Sequence, residues 1–147
     1  MSATPMFTDK DVQDYIEEQL AEQKKVILNT FNYIGKQCVN KARSLNTYQD
    51  QTGNLRSSIG YIVIDDGKVV SSSSFPTVKK GNDGKKTGRE LINRLISEHS
   101  QGIVLIVVAG MNYASYVEAM GLDVLTSAEL LAEKKIPEML RKLGFKV

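Results

Sequence analysis

The chain has one cysteine, one histidine and three prolines in 147 residues. With Cys38 alone, an internal disulfide and a cysteine-rich zinc site are both excluded, and the burial habit of a free cysteine predicts a small apolar residue on a helix. His99 has no second imidazole with which to build a His-based zinc site, and no nucleophile for which to shuttle a proton. Its expected role is at a helix end, complementing the dipole or simply exposed. Long hydrophobic runs are missing too. The longest, "IVLIVVAGM" from Ile103, falls far short of the roughly 20 residues that span a bilayer, so no membrane partner is expected. The opening "MSATPMFTDKD" lacks the basic region and apolar stretch of a secretory signal, and the chain is expected to stay in the compartment where it is made. Extreme charge is also absent, since a net +2 does not by itself announce a nucleic-acid binder.

What is present is the composition of a globular domain, 41% hydrophobic and 24% charged. The length suits one domain over 1–147 with a core that needs no staple or metal. Its charge is segregated. Between Asp9 and Glu22 six acidic residues accompany one lysine, between Lys79 and Arg94 six basic residues face two acidic ones, and Lys134 to Lys146 is again basic. Acidic and basic zones of this kind let copies of one chain stack on each other, or merely solvate helix faces.

Periodicity predicts an α+β fold, with a long N-terminal helix on a small, mostly antiparallel sheet, a short mid-chain helix and a C-terminal helix. Thr8 and Asp11 form a helix-start signal. Val12, Ile16, Leu20, Ile27, Phe31, Ile34 and Cys38 then make one apolar stripe on a helix over about 9–45. At roughly 55 Å that helix is longer than such a domain needs. Either Gly35 bends it or one end projects toward a neighbouring subunit. "DDGK" between β-branched runs is a hairpin signal, and Val69 to Ser74 is the expected return strand at an exposed edge. "PTVKKGNDGKKTGRE" reads as an exposed, mobile loop, and the sheet and this loop together occupy about 55–118. Thr87 and Glu90 suggest a capping box that starts the short helix, which ends near Gly102. The uniformly apolar "IVLIVVAGM" reads as the central strand, covered on both faces. Thr126 and Glu129 suggest a third capping box, for a helix over about 127–143 that Pro137 should kink or split and Gly144 should stop.

Catalytic and cofactor motifs are hard to find. Gly81 and Gly84 are two residues too close for a phosphate loop, and Lys86 stands where the hydroxyl should be. Glu118 is a carboxylate with no identifiable catalytic partner. No catalytic, cofactor or metal residue is assigned, and no enzymatic activity is expected. Lys79, Lys80, Lys85, Lys86 and Arg89 form a basic set able to neutralise phosphates without reading sequence. That set supports an alternative reading as a small nucleic-acid-binding module, although the segment has no aromatic platform for stacking bases.

Two stretches belong together: "DQTGNLRSSI", Asp50 to Ile59, and "NYASYVE", Asn112 to Glu118. A turn T-G-x-L-R-x-S-I leading into the first strand, then Y-A-x-Y-V-E after the last, resembles a family of small siphophage virion proteins. These are the minor tail, tail-completion or head-tail joining proteins. The resemblance covers about Leu45 to Glu118 and, in a general way, the long first helix. Where that family continues with Gly-Thr and a proline-rich aromatic tail, this chain continues "AMGLDVLTSAELLAEKKIPEML". The resemblance implies a non-enzymatic structural protein that forms a homo-oligomeric ring in the head-tail connector, neck or tail-completion complex. Such a protein is made in the host cytoplasm and located in the virion. Its neighbours would be neck, portal-adaptor or tail proteins, with non-specific contact to packaged DNA through the lysine set. Arg56, Tyr113, Tyr116 and Glu118 are the expected interface residues, with Arg56 holding Glu118 by a charge-assisted hydrogen bond.

Overall fold

Helix α1, Asp9–Arg43, begins at a reciprocal capping box: the Asp11 amide donates to Thr8 Oγ1 (3.1 Å) and the Thr8 amide to Asp11 Oδ2 (2.9 Å). Backbone amides at this turn lack intrahelical acceptors, so the two side chains satisfy groups that would otherwise need water. Its 35 residues extend about 52 Å at 1.5 Å per residue. The structure, a computed structural model, describes residues 6, 8–45, 48–111, 114 and 123–147. Among these, α1 is followed by α2 (Asn54–Ser57), β1 (Ile59–Asp65), β2 (Lys68–Ser72), α3 (Asn82–Glu98), β3 (Ile103–Ala109) and α4 (Thr126–Lys142). This is the expected α+β arrangement, with the long first helix on a small antiparallel sheet.

The sheet has the order β2-β1-β3, and every pair is antiparallel. Asp66 and Gly67 both take positive φ, 48° and 81°, as a two-residue primed hairpin turn requires. The "DDGK" signal is therefore a true hairpin. Alternation along β1 and β3 sends Ile59, Tyr61, Val63, Leu105 and Val107 toward α1 and α4. Ile62, Ile64, Val104, Ile106 and Val108 point the other way, toward α3. Both faces are covered, which accounts for the uniformly apolar sequence. The expectation of a central β3 is corrected: β1 occupies the centre and β3 an edge. Side-chain periodicity reports how many faces are covered but not strand order.

Gly35 does not break α1. A Cβ there would collide with the Tyr61 ring, so the glycine lets the helix lie close on β1. Of the two alternatives for this long helix, the projecting end is found. Every residue from Asp9 to Gln23 is exposed, while Ile34, Cys38, Val39 and Ala42 are buried. Pro137 lies inside α4 without dividing it, and the expected split is corrected. The predicted box at Thr126 is also corrected. Thr126 is the first helical residue, and the carboxylate of Asp123 accepts from the Ser127 amide (3.1 Å) and hydroxyl. At the other end the amides of Gly144 and Phe145 donate to Arg141 O and Leu140 O (3.0 Å each), with Gly144 at φ 94°. That is the paired closure expected where a glycine ends a helix.

Candidate functional site

The first motif folds into a turn and the four-residue helix α2, built around a buried carboxylate. Asp50 accepts from the Leu55 amide (3.3 Å) and the Arg56 amide (2.9 Å), while Arg56 Nη1 lies 3.9 Å from Asp50 Oδ2. The Arg56 guanidinium also stands over the Tyr48 ring, 4.9 Å from its centre, and donates to Leu45 O. Its planar fork lets one side chain serve a carboxylate, a ring and a carbonyl together. Burial pushes the Tyr48 phenol above its ordinary 10.0, with Arg56 pulling the other way. Arg43, at the end of α1, donates to Arg56 O (2.9 Å) and Pro76 O (2.6 Å), tying helix, turn and post-hairpin segment together.

The lysine segment closes over this turn. The Lys79 ammonium donates to Asp50 O (2.6 Å), the Lys80 amide to Thr52 O (3.1 Å), the Val78 amide to Ser57 Oγ (2.7 Å) and the Gly84 amide to Asn54 Oδ1 (3.1 Å). A Cβ on Gly84 would run into the Asn54 carbonyl. The expectation of one continuous loop is therefore corrected, since the segment is helical from Asn82 onward, while Lys79, Lys80, Lys86 and Arg89 are exposed as expected. Lys79 and Lys80 sit in a hydrogen-bonded connection, and Lys85, Lys86 and Arg89 lie on α3, which begins at Asn82. Thr87 is inside that helix rather than at its start, and its hydroxyl donates to Asp83 O (2.6 Å). Glycines near the start of α3 give a weak helix signal, but their lack of a side chain is what allows α2 to pack there.

Of the second motif, Ala114 is buried in a cluster with Tyr48, Leu55 and Val124. The two motifs thus meet where β3 ends, and the Met111 amide reaches Ser58 Oγ (3.3 Å). Tyr113, Tyr116 and Glu118 lie outside the described residues, and so does the expected Arg56–Glu118 pair. Asp50, Arg43 and Asn54 were not anticipated as organising residues. The one sequence signal for Asp50 is an acid shortly before a glycine turn and a helix start. His99 caps α3, its Nδ1 2.9 Å from Leu95 O.

A second feature is a surface rather than a network. On the projecting end of α1, Val12, Tyr15, Ile16 and Leu20 are 50%, 62%, 51% and 59% exposed. Their spacing places them on one face. Among the described residues, ion pairs join Lys24 to Asp65 (2.8 Å), Arg56 to Asp50 and Lys142 to Glu138 (3.5 Å). None uses the six acids between Asp9 and Glu22 or the basic residues of α3. Among the described residues, no group of His, Cys, Asp and Glu is placed to hold a metal, and no helix is long and apolar enough to cross a membrane. No family model matches the chain, nor does any curated protein or solved structure.

Proposed function

We propose that the chain is a structural protein of a bacteriophage or prophage virion, part of the head-tail connector, neck or tail-completion complex, in which copies assemble into a ring. The observation that carries this reading is the arm of α1, exposed from Asp9 to Gln23 and without a partner element among the described residues. A helix that leaves four large apolar side chains in water, with no cover among the described residues, is shaped to be covered by another molecule. The meeting of the T-G-N-L-R turn with Ala114 of the second motif supports the resemblance to small siphophage virion proteins. In this role the chain acts by geometry, holding its neighbours in register, with no catalytic residue or cofactor. Negative-stain electron microscopy of the concentrated protein at low salt should give closed rings of uniform diameter. Single compact particles at every concentration would contradict the proposal.

A second reading rests on the consecutive turns of α3 that carry Lys85, Lys86 and Arg89, none of them ion-paired among the described residues. A non-specific nucleic-acid module would use them on phosphates. In mobility-shift titrations its affinity would fall steeply with salt and drop when these three residues become glutamine.

A further inference from the structure

The arm of α1 has an acidic border as well as an apolar stripe. With 3.6 residues per turn, Asp11, Glu18 and Glu22 form a row on one side of Val12, Ile16 and Leu20, and Glu17 lies on the other. Nothing described within the chain covers the stripe, and Met6, just upstream, is itself 91% exposed. Two arms laid against each other would oppose acid to acid. The expected cover is a basic surface with an apolar floor.

The opposite side of the same molecule has such a surface. Helix α3 covers β1 and β3 but stops short of β2, where Val69 is 48% exposed. Between them lies a groove of about 310 Å³, with Ile62, Phe75 and Ile92 below, Val69 and Ile96 on the walls, and Arg89 at the rim. Lys85 and Lys86 stand one turn before Arg89 on the same helix. Helix α4 is the other basic zone, but its charges are mixed with Glu129, Glu133 and Glu138, and its Lys142 is already paired. The α3 groove is the better complement.

We propose that the arm of one copy seats Val12, Ile16 and Leu20 in the α3–β2 groove of the next, its carboxylates meeting Lys85, Lys86 and Arg89. An arm cannot fill its own groove, because α1 is continuous and packs on the other face of the sheet. Two different patches of each copy therefore meet, a head-to-tail contact that closes into a ring or runs on as a filament. This contact rests on the ring reading for its biological purpose but not for its geometry.

The test mixes chains carrying Leu20→Cys with chains carrying Val69→Cys, leaving the buried Cys38 in place, under mild oxidation at low salt. Disulfide-linked heterodimers should exceed both homodimers, and should exceed at least tenfold those formed when Tyr33→Cys, equally exposed but off both patches, replaces Val69→Cys. Adding Ile16→Asp or Arg89→Glu should abolish the excess without moving the thermal midpoint of the monomer. A dominant Leu20–Leu20 cross-link, or no excess over the Tyr33 control, overturns the contact. Closed rings without the cross-link would leave the ring reading standing and this contact wrong. The cross-link in open chains would do the reverse.

Discussion

Asp50 shows how one side chain can fix a local fold. Its carboxylate satisfies two backbone amides of α2 and faces the Arg56 guanidinium from a buried position. Hydrogen bonds to an ionised group contribute about 1.5–3 kcal/mol, whereas an ion pair with a nitrogen-oxygen distance of 3.9 Å is loose. Asp50→Ala should therefore cost about 3–5 kcal/mol, more than Arg56→Met, and the double variant should cost less than the sum. Denaturant unfolding of the three variants checks this; additive effects would mean that the two side chains act independently. Burial also pushes the Cys38 thiol above its ordinary 9.0 and the Tyr48 phenol above 10.0. Both groups hold their protons more tightly when folded, so their contribution is complete below pH 9 and is lost as pH rises through the raised values. The denaturation midpoint should fall as pH rises above the ordinary thiol value of 9.0, and Cys38 should resist thiol reagents at neutral pH until the chain unfolds. A native thiol that reacts freely, with a midpoint insensitive to pH, would contradict this.

At the scale of elements, the arm is the part of α1 whose helicity depends least on tertiary packing. Removing its cap by Thr8→Ala should cost about 1 kcal/mol of local helix stability. Because every residue from Asp9 to Leu20 is exposed, amide exchange should quicken in that stretch while the global midpoint stays put. A lowered global midpoint would show the arm to be part of the cooperative core. Elements whose signal is local were legible in the sequence: the Thr8–Asp11 box, the Asp66–Gly67 turn and the Gly144 stop each depend on residues within one turn. The start of α3 was not, because Gly84 and Gly88 look like loop yet lie inside the helix, packed closely against Asn54 of α2 and Phe75. Thr87–Glu90 and Thr126–Glu129 match a capping box in spacing, which also occurs within helices. The Lys79–Asp50 and Gly84–Asn54 contacts join positions about 30 residues apart, which no local pattern reveals. Arg56 could be picked out from its motif, but its partner Asp50 emerged only from the fold.

The whole molecule has two faces and one extension. Helices α1 and α4 cover one side of the sheet, α3 covers the other incompletely, and the acidic arm reaches past both. We read that asymmetry as the design of a protein completed by its own copies. The apolar part of such a contact tolerates salt, whereas attraction between the arm and α3 should be screened as the Debye length falls from about 10 Å at 0.1 M salt to about 3 Å at 1 M. Native mass spectrometry, paired with sedimentation velocity over a range of protein and salt concentrations, tests this most directly. One discrete oligomer of fixed stoichiometry is expected at low salt, in equilibrium with monomer and weakened at high salt. A monomer at all concentrations, or a ladder of ever longer species without a preferred size, would contradict a closed ring.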